Sequence, residues 1–182
     1  MRVARKKWIQ IHAYLSLFFL PVALLYAITG SLYIFGIKDL AGATINDYKL
    51  EEAFSPGQEA KTMLGLLEKN NLQIPKNQEV YDYKGVPTMG SIWYNAALVK
   101  EKSGEYVMRT TQRSIYGILV LMHKSKGRFY FDVLAIGFAA SLMFFYLSGL
   151  VATSFAKEHR KAAFSMLALG FIITPIAVFL SI

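Results

Sequence analysis

Cysteine is absent from this chain of 182 residues, and histidine occurs only three times. The lack of cysteine excludes disulfides, thiolate metal sites, iron–sulfur clusters and covalently attached c-type haem. Three long stretches contain almost no charged residues, and hydrophobic residues make up 54% of the chain. This share is higher than is usual for a soluble domain. The composition predicts an integral membrane protein whose apolar blocks are Trp8–Ile37, Phe129–Ala152 and Ala162–Ile182.

The three apolar blocks predict three transmembrane helices, because about 20 apolar residues suffice to cross the hydrocarbon of a bilayer. The predicted spans are residues 13–37, 129–153 and 162–182. A cleaved signal peptide is the alternative for the first block, since Arg5-Lys6-Lys7 precedes it and Ala41-Gly42-Ala43 resembles a cleavage site. The block is longer than a typical signal-peptide core, which favours a span.

Basic residues are concentrated beside these blocks and account for most of the net charge of +8. Four precede the first block within residues 1–12, and three lie in the short turn 154–161. The positive-inside rule places both segments in the cytoplasm and residues 38–128 outside it. Lys124, Lys126 and Arg128 oppose this orientation, but long translocated segments count less in the rule. Charge of this kind flanks a membrane and does not predict a nucleic-acid groove.

Residues 38–111 read as a small soluble α+β domain. A helix is predicted at 58–70, followed by strands at 79–83, 91–99 and 106–110, with a hairpin turn at Lys102-Ser103-Gly104. The catalytic arrangements of classical hydrolases do not occur in it. Residues 112–128 are predicted to form an interfacial helix and a linker on the outer membrane surface.

Four segments, in this order, resemble the PepSY-associated transmembrane family of bacterial inner-membrane proteins. They are Trp-Ile-Gln-Ile-His-Ala-Tyr-Leu-Ser-Leu at 8–17, Ala-Ile-Thr-Gly at 27–30, Tyr-Gly-Ile-Leu-Val-Leu-Met-His-Lys at 116–124 with Gly127, and Phe-Asp-Val-Leu at 131–134 leading to Leu-Ser-Gly-Leu at 147–150. The resemblance covers most of the chain. It implies a membrane α-helical fold of three transmembrane helices with a small α+β, PepSY-like extracytoplasmic domain in the periplasm.

The family that the chain resembles includes ferric-iron and ferrisiderophore reductases that are thought to carry b-type haem between their spans. Larger members have more spans and often two PepSY units. A homodimer of this chain would supply six helices around a porphyrin. The resemblance therefore implies haem b as the cofactor and membrane lipid as the surroundings.

The three histidines, His12, His123 and His159, all lie at predicted membrane boundaries. Haem b needs axial imidazole, an apolar slot and cations near its propionates. We expect His12 and His159 to ligate an inner haem and His123 to ligate an outer one, opposite its symmetry mate or Met122. The alternatives are an interfacial histidine beside Trp8, a polar residue in a basic turn, and direct contact of His123 with the ferric substrate.

The function expected from this resemblance is transmembrane electron transfer by a ferric reductase. Quinol or a cytoplasmic reductant would donate electrons on the inner side, and ferric iron or a ferric siderophore would accept them outside. The alternative is a non-enzymatic, membrane-anchored PepSY regulatory or binding protein. A subunit of an iron uptake system is a further reading, although the sequence contains no nucleotide-binding loop.

Overall fold

Three helices of this protein are long and apolar enough to cross a membrane. The computed structural model describes residues 2–50, 54–152 and 159–182. With elements numbered along the chain, these helices are α1 (Arg2–Ile34), α4 (Phe129–Ala152) and α5 (Arg160–Leu180). Their length and composition indicate an integral membrane protein. Most of the predicted turn 154–161 lies outside the described residues.

The chain divides into two compact units, Met1–Leu24 with Val133–Ile182, and Leu25–Asp132. In the first unit, Phe19 of α1 and Phe138 of α4 are buried with their ring centroids 6.0 Å apart. A Cβ on Gly137 would lie 3.3 Å from the Phe19 ring, so this glycine permits close helix packing. From Lys161 onward the side chains of α5 are exposed, apart from the half-buried Ala163.

The second unit contains a five-stranded antiparallel sheet in the order β1-β5-β4-β3-β2. Its strands are β1 (Thr44–Lys49), β2 (Val80–Tyr83), β3 (Val86–Gly90), β4 (Tyr94–Lys100) and β5 (Tyr106–Gln112). The predicted hairpin at residues 102–104 joins β4 to β5. Sequence patterns did not predict β1, which is exposed along most of its length, or β3, which contains Pro87.

Helix α2 (Glu59–Lys69) covers one face of the sheet. Met63 and Leu67 lie four residues apart and therefore on the same side of this helix. Both are fully buried and pack with Met89, Leu98 and Met108 of the three central strands. Burial of each such side chain contributes about 1.5–3 kcal/mol, so this cluster is the main core of the second unit.

A short helix, α3 (Ile115–His123), is fastened to the loop that follows α1. Ser114 caps α3 by accepting from the Gly117 amide, and its hydroxyl donates to the Ala41 carbonyl at 2.6 Å. The Tyr116 hydroxyl donates to the Ile37 carbonyl at 2.7 Å. A Cβ on Gly117 would overlap the carbonyl oxygen of Asp39, so only glycine fits this approach. These contacts fix the position of the last residue of α3, His123.

Candidate functional site

His123 is hydrogen-bonded to a buried threonine of α1. Its Nδ1 lies 2.7 Å from the Thr29 hydroxyl oxygen, and Thr29 is only 2% exposed. The same hydroxyl donates to the Leu25 carbonyl one turn earlier in α1, at 2.6 Å. A helical hydroxyl therefore joins its own backbone to a histidine that is 94 residues away in the sequence.

Taken together, these two hydrogen bonds favour one tautomer of His123. A threonine hydroxyl has one proton, and Thr29 donates it to Leu25. The contact with His123 then requires Nδ1–H as the donor and the hydroxyl oxygen as the acceptor. In the neutral ring, Nε2 consequently holds a lone pair. Among the described residues it has no hydrogen-bond partner. This is the state in which an imidazole can bind a metal.

Aromatic rings and a glycine surround the His123 imidazole. The Tyr26 ring lies with its centroid 4.2 Å from that of His123, and the Phe131 ring is nearly parallel to that of Tyr26, with their centroids 6.5 Å apart. A Cβ on Gly30 would lie 3.5 Å from Cε1 of His123. Helix α1 thus has no side chain at the point where the imidazole approaches it.

A cavity of about 270 Å³ opens beside this imidazole. The residues that line it are Thr29, Gly30, Tyr33, Val120, His123 and Lys124. The Lys124 Nζ lies 5.2 Å above the Tyr33 ring and 3.8 Å from a carboxylate oxygen of Asp39. The cavity therefore combines an imidazole, apolar walls and one cation. We refer to these lining residues as the Thr29–His123 site.

His12 has a similar arrangement in the other unit. Its Nδ1 lies 3.1 Å from the Ser148 hydroxyl oxygen, and that hydroxyl donates to the Phe145 carbonyl at 3.2 Å. The Phe145 ring centroid is 4.8 Å from that of the imidazole. The same argument makes His12 Nδ1 the donor and leaves Nε2 with a lone pair. Both distances are longer than at Thr29, so the constraint is weaker. We refer to these two residues as the His12–Ser148 pair.

His159 is exposed and immediately precedes α5. Residues 153–158, which lead to it, lie outside the described residues. The pairing of His159 with His12 therefore stays a prediction. His12 and His123 belong to different units and have different sets of partners. Ligation of haem by any of the three stays a prediction too.

Sequence reasoning did not assign roles to the two hydroxyl residues, Thr29 and Ser148. Both lie in segments that carry the family resemblance, 27–30 and 147–150. Their periodicity gives no clue, because their histidine partners are 94 and 136 residues away. The available signal was a hydroxyl residue inside an apolar span, where polar groups need a partner.

The residues of the Thr29–His123 site fit an axial ligand to haem iron. An axial histidine binds through one nitrogen while its other N–H donates to a fixed acceptor, as Thr29 provides here. The aromatic neighbours suit a flat macrocycle, and Lys124 suits a propionate. Among the described residues, no group of three or more histidine, aspartate or glutamate side chains could hold a metal ion.

Two features of the sheet have perturbed electrostatics. Arg109 donates to both carboxylate oxygens of Asp47 at 2.7 Å, and this hydrogen bonding lowers the pKa of Asp47 below its ordinary value and raises the pKa of Arg109. Burial raises the pKa of Tyr81, while the charge of Arg113 acts in the opposite direction. The Asp47–Arg109 pair joins edge strand β1 to β5.

Comparisons of the chain with protein-family models, curated proteins and solved structures found no match. The family resemblance therefore depends on the sequence segments named above.

Proposed function

We propose that this protein is a haem b-containing transmembrane electron-transfer protein that reduces ferric iron or a ferric chelate on the periplasmic side. One observation carries the proposal. In each compact unit, a helical hydroxyl holds the Nδ1–H of a histidine and leaves its Nε2 with a lone pair. An axial haem ligand needs this tautomer and this fixed orientation.

The assignment of roles follows from the positions of the two histidines along α1 and α3. His12 lies near the N-terminal end of the first span, and His123 lies in the segment before the second. With the basic N-terminus in the cytoplasm, His12 would serve an inner haem and His123 an outer one. When bound, haem supplies the one-electron chemistry, and the chain supplies ligation, orientation and spacing.

The first test is a reduced-minus-oxidised visible spectrum of the detergent-purified protein, with the haem content measured per chain. We expect b-type bands and two haems per chain. His12→Ala and His123→Ala should each remove one of them, whereas Gln10→Ala, which changes an exposed residue of α1, should remove none. A spectrum that is unchanged in both histidine variants would refute the ligand assignment.

His159→Ala tests the expected pairing across the inner haem. If His159 is the second axial ligand, the variant should turn a low-spin inner haem into a high-spin one, while the outer haem keeps its spectrum. An unaltered spin state would remove His159 from the ligand set and leave His12 in it.

Reductase activity is tested in proteoliposomes with quinol supplied and ferric citrate outside, with ferrous iron trapped by a coloured chelator. We expect ferrous iron to form with the wild-type protein and to fall at least tenfold in each of the two haem-ligand variants. A protein that stays colourless when haem is supplied would favour the non-enzymatic regulatory or binding protein.

A homodimer is part of the proposal. The described side chains of α5 after Ala163 are all exposed, so this apolar helix can meet lipid or a second copy of the chain. Two copies would give six spans around the haems. The mass of the protein–detergent particle by light scattering, corrected for detergent, tests this, and a monomer would refute it.

A further inference from the structure

The sheet has a second face, opposite the one covered by α2, and this face forms an open groove of about 320 Å³. Side chains alternate between the two faces along each strand. Thr88, Ala97 and Thr111 therefore point away from the Met63–Leu67 core and line the groove. A volume of this size is at the lower end of the range for small-molecule sites.

The lining of the groove is basic. Arg113, Lys84 and Lys126 contribute to it, and none of the described residues that line it is acidic. The Asp47 carboxylate of β1, which lies opposite Arg109 of β5, is already paired with that arginine. Low-dielectric walls around cations of one sign attract an anion.

Arg113 is held in place with its hydrogen-bonding capacity incompletely used. Its Nη1 donates to the Ile92 carbonyl at 3.0 Å, and its backbone amide donates to the Trp93 carbonyl at 2.9 Å. Its Nε is buried and has no hydrogen-bond partner among the described residues. The Nε edge of a guanidinium is one of the two edges that can pair with a carboxylate in bidentate fashion. An anion that reaches the guanidinium can satisfy this donor if the side chain turns slightly outward.

Aromatic and apolar side chains complete the groove. Tyr81 and Tyr83 of β2 form one wall, and Ile92 and Leu121 add apolar surface. Tyr81 lies close enough to Arg113 for the arginine charge to oppose the effect of burial on its pKa. Such walls suit a compact ligand with an apolar body and several carboxylates better than they suit inorganic phosphate.

We propose that this groove binds a polycarboxylate chelate of ferric iron, and so is the docking site for the acceptor. The inference rests on the proposed function for the identity of the acceptor. Binding itself involves no haem and no electron transfer. It can therefore be measured with gallium(III), which forms similar chelates and is not reduced under these conditions.

The experiment is calorimetric titration of the full-length, detergent-purified protein with gallium citrate. We expect saturable binding that weakens as salt is raised. Arg113→Gln should weaken it at least tenfold, and Lys84→Gln combined with Lys126→Gln should do the same. Lys84 and Lys126 are exposed, so the double variant should fold normally even if Arg113→Gln does not.

Lys100→Gln is the matched control, because Lys100 is exposed and alternates to the other face of β4 from Val99, which lines the groove. It should bind gallium citrate as the wild type does. Equal affinity in the wild type and the double variant would overturn the inference. Citrate alone binding as tightly as its gallium complex would overturn the assignment of the groove to a metal chelate.

The two proposals fail in different ways. If gallium citrate binds to the protein and the protein contains no haem, the groove proposal stands and the reductase proposal is refuted. The reverse result is a haem protein that reduces ferric citrate, but whose activity and gallium citrate binding are unchanged when the three groove cations are replaced. That result would support the reductase and refute the groove as the docking site.

Discussion

Replacing Thr29 by valine removes the hydroxyl that orients His123 and keeps nearly the same shape. In the wild type, the oxygen accepts from Nδ1–H at 2.7 Å and donates to Leu25 at 2.6 Å. The Leu25 carbonyl keeps its ordinary helical partner in the variant, so little is lost there. The Nδ1–H of His123 loses its acceptor in a site where Thr29 is 2% exposed.

The size of the effect follows from two principles. A net hydrogen bond contributes about 0.5–1.5 kcal/mol, and an unsatisfied buried donor costs about 1–3 kcal/mol. Loss of an outer-shell partner of a ligating histidine typically reduces metal affinity about 10–100-fold, which corresponds to about 1.4–2.8 kcal/mol. We therefore expect Thr29→Val to weaken outer haem binding by that factor while the protein remains folded.

Two assays separate the tautomer from the haem. With only three histidines in the chain, ¹⁵N spectra of histidine-labelled, haem-free protein should resolve each ring. We expect His123 in the Nδ1–H form in the wild type and a mixture of tautomers in Thr29→Val. Haem titration then measures the loss of affinity. Thr174→Val, an exposed change of the same kind in α5, should alter neither.

The reasoning is refuted if the wild-type His123 is in the Nε2–H form. It is refuted equally if Thr29→Val binds the outer haem within twofold of the wild type. A variant that loses haem and also loses the thermal transition of the sheet domain would instead indicate unfolding. Circular dichroism of each variant identifies that case.

Three further predictions concern other contacts. Ser148→Ala should release His12 and weaken inner haem binding about tenfold. Ser165→Ala, which removes an exposed hydroxyl that also donates to a carbonyl of its own helix, should not. Haem titration of the two variants compares them, and equal losses would contradict the pairing of His12 with Ser148. Asp47→Asn should lower the free energy of unfolding by only about 0.5–1 kcal/mol at pH 7, because both partners of the ion pair are partly exposed. Because the pKa of Asp47 is lowered in the folded state, this stabilisation is present above its unfolded-state pKa and is lost as pH falls through its folded-state pKa. Urea melts of the wild type and the variant should therefore converge in acid. A stability difference that stays constant with pH would contradict this prediction. Gly117→Ala should lower the free energy of unfolding by about 1–3 kcal/mol and displace the end of α3. The added methyl group of the control variant Gly65→Ala meets open space, so this variant should not lose that stability. Thermal melts compare the two variants, and equal stability would contradict the close approach of Gly117 to Asp39.

Much of the fold follows from local patterns. The three apolar helices are evident from length and charge alone, and α2 follows from the spacing of Met63 and Leu67. The β4–β5 hairpin follows from its glycine-containing turn, in which Gly104 has a φ of 93°. Each of these features is determined by residues that are close in sequence.

The features that escaped prediction depend on distant partners. Strand β1 is a polar, mostly exposed edge that is defined by its pairing with β5 rather than by its own alternation. Strand β3 contains Pro87, which usually argues against a strand interior. The roles of Thr29 and Ser148 required knowledge of which histidine lies opposite, and neither pairing leaves a periodic signal.

The arrangement of the two histidines argues against a purely interfacial role. An interfacial histidine beside a membrane can turn both nitrogens to water or headgroups. His12 and His123 are instead half-buried, each with Nδ1 bound to a hydroxyl that is already tied to its own helix. Among the described residues, neither Nε2 has a hydrogen-bond partner. Neither is among the buried side-chain atoms that lack a partner, so each lone pair is accessible to an electron-pair acceptor such as the haem iron of the proposed function.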